Sequence, residues 1–108
     1  MADTGDVVVA LTTAPTAEVA GEIARALVAE KLAACVNIVP GVRSIYAWKG
    51  EICDEGEVLC VMKTRSERIE ALRARLVALH PYEVPELVVL GVADGHAPYL
   101  EWVLASVS

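Results

Sequence analysis

The chain has 108 residues, of which 56% are hydrophobic, and it carries a formal net charge of −6. A chain of this length forms one domain, residues 1–108, and its negative charge argues against nucleic acid, which is bound through Lys and Arg. No apolar run approaches the roughly 18 residues that a membrane span needs, and the acidic N-terminus lacks a signal-peptide pattern. We therefore expect a cytoplasmic protein that binds neither nucleic acid nor membranes, with residues 1–5 as a flexible N-terminus.

Subunit association is suggested by the apolar share, which is high for a soluble domain of this size. A surplus of apolar surface is normally covered by another subunit. The cysteines are Cys35, Cys53 and Cys60, an odd number without C-x-x-C spacing, which disfavours a disulfide framework and a structural zinc site. We expect an oligomer whose thiols are free.

The first predicted strand is the continuous apolar run Val7–Leu11. Thr16 is a suitable N-cap for the helix that follows, in which apolar residues recur every three to four positions up to about Glu30 or Lys31. The chain therefore begins with a strand and an amphipathic helix.

A long hairpin is predicted next. Its arms are Leu32–Trp48, with a bulge or kink at Pro40-Gly41, and Glu51–Arg65, with a second bulge at Gly56; Lys49-Gly50 supplies the turn. Each arm is about twice the length of an ordinary strand. Because such arms overhang a small domain, we expect their edges to pair with another subunit.

The second half of the chain repeats the order of the first. Thr64–Glu67 fits the capping-box pattern, and an amphipathic helix follows that must stop at His80 because a proline comes next. Leu87–Ala93 is predicted as the fourth strand and Tyr99–Ser106 as a closing helix. The order β-α-β-β-α-β-α predicts the α+β class, with a ferredoxin-like split βαβ fold and one additional C-terminal helix.

The segment His80–Glu86 carries the most distinctive polar chemistry. Two prolines stiffen it, and it contains one imidazole, one phenol and two carboxylates. His80 at a helix C-terminus could simply interact with the helix dipole, or it could act as a metal ligand or proton carrier with Glu83 and Glu86 close by in sequence. Imidazole suits copper as well as zinc.

Further candidates for ligand contact are polar and aromatic residues, most of which lie outside the segment His80–Glu86. Glu57 and Lys63 lie six residues apart on one strand face, roughly 20 Å from each other, so each needs a different partner. The aromatic residues are candidates for core, interface or ligand contact because their polar tips remain available. The candidates for contact with a ligand or with another subunit are Tyr46, Trp48, Glu57, Lys63, Tyr82, Tyr99 and Trp102.

Catalytic motifs are missing from the sequence. It contains no phosphate-binding glycine loop, no nucleophile elbow and no zinc-protease motif. We therefore predict no catalytic residues, with His80 as a general acid or base beside Glu83 or Glu86 kept as a minor alternative.

Several segments together resemble a known family across Val7 to Trp102. They are Thr13–Pro15, Glu30–Asn37, Ser44–Gly50, Lys63-Thr64, His80–Glu86 and Tyr99–Trp102. In these segments the chain is similar to the CutA family, the divalent-cation tolerance proteins. The resemblance implies a ferredoxin-like protomer, a homotrimer built by sheet edges and the long hairpin, tolerance to copper and other divalent cations, and an architecture related to the trimeric PII signalling proteins.

The resemblance also bears on the metal ligands. The family's copper site uses a Cys before Thr-Ala-Pro and two His before Pro-Tyr, whereas this chain has Thr12, Leu79 and His80 at those positions. The predicted metal residues are therefore His80, Glu83 and Glu86, with no cofactor required and Cu²⁺ as the expected divalent cation. The alternative is a PII-like sensor or adaptor that binds a small anion or a partner protein in a cleft between subunits, using Lys63, Tyr82 and the carboxylates among the candidates for ligand or subunit contact.

Overall fold

The computed structural model describes residues 6–108, so the predicted flexible segment 1–5 lies outside the described residues. Four strands form one antiparallel sheet, in which the second strand pairs with the third, the third with the first and the first with the fourth. This strand order and the succession of elements confirm the predicted α+β, ferredoxin-like fold. The elements are β1 Val7–Ala14, α1 Ala17–Ala29, β2 Cys35–Trp48, β3 Glu51–Arg65, a 3-10 turn Ser66–Arg68, α2 Ile69–Leu79, β4 Val88–Gly91 and α3 Ala97–Ser106.

The core lies between one face of the sheet and the helices α1 and α2. Alternate residues of β1 and β3 point into this core because side chains alternate across a strand. At the start of α1, Thr16 is the N-cap and accepts a hydrogen bond from the Val19 amide at 3.1 Å. No helix among residues 6–108 is long and apolar enough to cross a membrane. The buried core residues include Ala10, Ala14, Ile23, Leu27, Val58, Cys60, Met62, Leu72 and Leu76.

The opposite face of the sheet is covered only in part. Helix α3 packs at one end of it, with Leu100 and Val103 against Val7. Farther along, the outward positions of β1 and β3, such as Leu11 and Val61, are half-buried and belong to neither buried cluster. We call this remaining surface, formed by Val9, Leu11, Leu59 and Val61, the open sheet face.

The hairpin of β2 and β3 has the predicted turn and the predicted first bulge. The register shifts between Val39 and Val42, at Pro40-Gly41, and the turn residues Lys49 and Gly50 have φ values of 50° and 82°. Two positive φ values in a two-residue loop are typical of a type I′ turn, which matches the twist of the flanking strands.

Two local predictions were wrong. Gly56 forms no bulge but pairs in register with Arg43, because an exposed glycine fits a regular ladder as well as an irregular one. The capping box is absent: Thr64 is still part of β3, and its buried hydroxyl donates to the Leu32 carbonyl at 2.8 Å, so the following 3-10 turn has Arg65 as an N-cap without a side-chain hydrogen bond.

Candidate functional site: a cavity beneath the hairpin

A cavity of about 300 Å³ lies where the outer half of the hairpin meets the end of β1 and the segment that follows α2. The bulge at Pro40-Gly41 separates this outer half from the inner half of the hairpin, and a bulge bends a strand and increases its twist. The lining residues are Thr13, Tyr46, Trp48, Glu57, Tyr82, Glu83, Val84 and Glu86.

The wall after α2 is shaped by prolines. Helix α2 ends at Leu79, and its C-cap residue His80 has an extended backbone with φ −79° and ψ 137°, as expected for a residue that precedes proline. Pro85 restricts the chain again five residues later. The three residues between Pro81 and Pro85, Tyr82 to Val84, all line the cavity.

His80 anchors this segment to the sheet. The imidazole is only 7% exposed, and its Nε2 lies 2.7 Å from the carbonyl oxygen of Thr13. Because that carbonyl only accepts, Nε2 carries the proton, and Nδ1 accepts a hydrogen bond from the Tyr82 amide at 3.1 Å. The rings of His80 and Tyr82 also pack, with centroids 4.6 Å apart. Both ring nitrogens are therefore occupied by the protein itself.

Glu57 is a buried carboxylate on the floor of the cavity. It is 9% exposed and accepts a hydrogen bond from the Tyr82 hydroxyl at 2.6 Å, a length typical of bonds to an ionised acceptor. Within residues 6–108 no Lys, Arg or His lies within ion-pair distance of it. The phenol is neutral, so it orients the carboxylate without cancelling its charge.

Both tyrosines of the cavity have raised pKa values. The hydrogen bond from the Tyr46 hydroxyl to Glu55, at 2.9 Å, raises the pKa of Tyr46 to about 12, with burial and nearby negative charges adding to the effect. Burial, followed by the bond to Glu57, raises the pKa of Tyr82 above its ordinary value. Both phenols therefore stay protonated donors at neutral pH.

We predict that Tyr46 makes stability fall at alkaline pH. The unfolded phenol loses its proton near pH 10.0 and the folded one near pH 12, so this contribution is fully present below pH 10.0 and is lost as the pH rises through the folded pKa. Phenolate absorbance should show Tyr46 titrating late, and Glu55→Gln should move its pKa towards 10.0. Tyrosines that all titrate at their ordinary value in the folded protein would contradict this.

At the rim of the cavity, Lys49 of the hairpin turn lies beside the two lining residues Trp48 and Glu83. Its ammonium lies 3.4 Å from a carboxylate oxygen of Glu83 and 5.8 Å from the centroid of the Trp48 ring. The side chains of Lys49 and Glu83 are 70% and 71% exposed, so this ion pair contributes little to stability. It nevertheless joins the hairpin turn to the segment that follows α2.

The predicted metal residues are not arranged as a metal site within one chain. Among residues 6–108, no three His, Cys, Asp or Glu side chains lie close enough together to hold an ion. Glu83 and Glu86 line the cavity, but His80 directs its ring nitrogens to Thr13 and Tyr82, and Glu83 pairs with Lys49. An extended segment spreads its side chains in different directions, so proximity in sequence did not produce convergence.

Of the seven residues predicted to contact a ligand or another subunit, four line the cavity and three do not. Tyr46, Trp48, Glu57 and Tyr82 line the cavity. Lys63 instead bonds to Asn37 on the inner part of the hairpin. Tyr99 and Trp102 pack on each other in α3, with centroids 5.7 Å apart, and do not line the cavity.

Sequence reasoning missed Thr13, Val84, Lys49 and Glu55 as parts of this site. The contact of His80 with Thr13 joins residues that are 67 positions apart, so no local sequence pattern indicates it. The bond between Tyr46 and Glu55 could have been found, because these residues lie diagonally across the hairpin, two positions from direct partners, where long side chains reach each other.

Comparisons with known proteins agree with this architecture. The profile of the family described as "CutA1 divalent ion tolerance protein" matches residues 8–106. The "Divalent-cation tolerance protein CutA" of Thermus thermophilus is 53% identical over 94 residues, which are 87% of this chain and 91% of that protein. "Protein CutA" of Homo sapiens is 50% identical over 99 residues, 92% of this chain but only 55% of that longer protein.

Solved structures with the same architecture include two bacterial proteins. The structure of the divalent cation tolerance protein from Thermus thermophilus has a TM-score of 0.92 at 49% identity and covers 94% of this chain and 99% of that one. The structure of CutA from Synechococcus elongatus has a TM-score of 0.91 at 38% identity, with coverage of 96% and 92%. The chain therefore belongs to the CutA1 divalent ion tolerance protein family.

Proposed function

We propose that this protein acts in tolerance to divalent cations as a cytoplasmic homotrimer that binds ions and catalyses no reaction. The observation that carries the proposal is that three glutamates, Glu57, Glu83 and Glu86, line one cavity in a chain of this family. Carboxylate oxygens attract divalent cations. The negative charge of the cavity therefore attracts cations, while the three carboxylates do not by themselves converge on one ion.

A single chain does not complete the metal site, as the arrangement of His80 and its neighbours among residues 6–108 indicates. We propose that His80, Glu83 and Glu86 are joined by donors from a neighbouring subunit, and that Cu²⁺ is the preferred ion because imidazole and carboxylate are acceptable copper ligands. Ligation by His80 requires its ring to release Thr13 or Tyr82. Metal binding is therefore coupled to the position of the segment after α2.

The trimer is supported by two surfaces that one chain leaves uncovered. The open sheet face is apolar and half-buried, and the outer hairpin exposes 63% of Ile45 and 81% of Ile52. Apolar surface and a long free strand edge both favour association with further copies. A cytoplasmic location agrees with Cys35, Cys53 and Cys60 being free thiols, since disulfides are rare in reducing compartments.

We predict that Cu²⁺ quenches tryptophan fluorescence at micromolar concentration and that His80→Ala weakens this binding by about tenfold or more, equivalent to roughly 1.4 kcal/mol. The matched control is His96→Ala, because His96 is exposed and forms no side-chain cap. Titrations should be done where circular dichroism shows both variants folded. Equal copper affinity in wild type and His80→Ala would reject His80 as a ligand.

The second candidate function is a PII-like sensor that binds a small ligand in the same cavity. The observation that favours it is a volume of about 300 Å³ with Tyr46, Trp48 and Tyr82 among its walls, which is at the lower end of small-molecule sites. This cavity does not support the binding of a small anion by Lys63. Lys63 does not line it, and three of its eight lining residues are glutamates.

A further inference from the structure

We propose that the cavity beneath the hairpin binds an organic ammonium ion, with the charged head group between the Glu57 carboxylate and the ring of Tyr46 and with its alkyl groups directed towards Trp48. This proposal rests on the second candidate function, the binding of a small ligand in this cavity, and specifies the chemical class of that ligand. It is independent of copper ligation by His80.

The charge of the cavity is negative and uncompensated at its floor. Glu57 is nine-tenths buried and, among residues 6–108, has a hydrogen bond from Tyr82 but no cationic partner. A buried carboxylate without a counter-charge is costly. A cation that enters the cavity offsets this cost, whereas an anion increases it.

The walls of the cavity favour a cation that carries carbon. Tyr46, Trp48 and Tyr82 line it, and the face of an aromatic ring attracts an ammonium group within about 6 Å of its centroid. Alkyl groups attached to the nitrogen also gain from contact with the rings. Aromatic walls combined with carboxylates are the arrangement that recognises alkylammonium ions.

The protein already places one of its own ammonium groups in this kind of environment. Lys49 lies 5.8 Å from the Trp48 centroid and 3.4 Å from Glu83, at the rim. The same two components, a ring and a carboxylate, occur at the floor with Tyr82 and Glu57. There, no cationic side chain from residues 6–108 forms an ion pair with the carboxylate, so the chain itself leaves this position open to an ammonium ion from outside it.

An organic cation fits the donor set better than a metal ion does within one chain. Metal binding needs several donors that converge on one point, and no such group of three occurs among the described residues. An alkylammonium ion needs only one strong acceptor and ring faces. Glu57, held by Tyr82 at 2.6 Å, provides that acceptor in a fixed position.

The test uses the full chain carrying Trp102→Phe, which leaves Trp48 as the only tryptophan because the chain has two. Tetramethylammonium chloride and butylammonium chloride are titrated against sodium chloride at equal ionic strength. We expect a saturable change in Trp48 emission with the ammonium salts alone. Glu57→Gln should weaken binding by about tenfold, and Glu70→Gln, which removes an exposed glutamate of α2, should leave it unchanged.

If Glu57→Gln does not fold, ligand-observed NMR with the Trp48→Leu variant provides a second readout. The change that the wild-type protein causes in the NMR signals of the ammonium ions should be lost with this variant. The proposal is overturned if sodium chloride gives the same response, if no saturable change occurs, or if folded Glu57→Gln binds as wild type does. Copper titration of the same proteins separates the two proposals, because copper binding that persists while ammonium binding fails overturns only this inference.

Discussion

Aspartate in place of Val61 should convert the proposed homotrimer into folded monomers, lowering the mass measured by light scattering to about one third. Val61 lies on the open sheet face, in the central part of β3 and opposite Leu11 of β1. In a trimer that buries this face, a carboxylate there is desolvated without a partner, which strongly disfavours association. In an isolated chain the half-buried position leaves the new charge within reach of water.

The control for this experiment is Val77→Asp. Val77 is 54% exposed on α2, the helix that packs on the other face of the sheet, so its substitution should leave the mass unchanged. Circular dichroism should show that both variants keep their secondary structure. A Val61→Asp protein with the mass of the wild type would show that the open sheet face is not the subunit interface.

The fold was predictable where local chemistry and tertiary packing favour the same structure. Thr16 caps α1, and Lys49 with Gly50 forms the turn, because each residue has the conformational preference that its position requires. The capping box failed because Thr64 had a competing partner, the Leu32 carbonyl, which lies 32 residues away. A sequence pattern of four residues does not indicate a competing hydrogen bond with a residue so far away in the chain.

The candidate site was predictable only in its local part. The prolines around Tyr82 and Glu83 mark a stiff segment from the sequence alone, and both residues line the cavity. The opposite wall comes from Tyr46 and Trp48, which reach the cavity because the hairpin carries a bulge. The amount of bending at a bulge depends on tertiary contacts, so the sequence could suggest these aromatic residues but not what they face.

His80 illustrates how one residue type supports two interpretations. Its position at the end of α2 suggested either a helix-dipole contact or a metal ligand. The structure instead shows a tie formed by two hydrogen bonds of the imidazole, one with the Thr13 carbonyl of β1 and one with the Tyr82 amide. That tie also sets the position of the Tyr82 ring, which packs on the imidazole and directs its hydroxyl to Glu57. His80 thus supports the cavity without lining it.

We predict that His80→Ala lowers the free energy of unfolding by about 2–3 kcal/mol in the absence of metal, because it leaves the Thr13 carbonyl and the Tyr82 amide without their partner. Urea unfolding in the presence of a chelator, at fixed protein concentration, measures this. His96→Ala is the control, since that exposed side chain forms no cap bond and its loss should change stability by about 0.5 kcal/mol or less.

The same variant separates the structural role of His80 from ligation. If the tie positions Tyr82, metal-free His80→Ala should also bind tetramethylammonium more weakly, although His80 does not line the cavity. A residue that acts only as a metal ligand would change neither stability nor ammonium binding when metal is absent. Unchanged values for both would therefore refute the tie, whereas a joint loss would show that the imidazole holds together the segment on which both proposed sites depend.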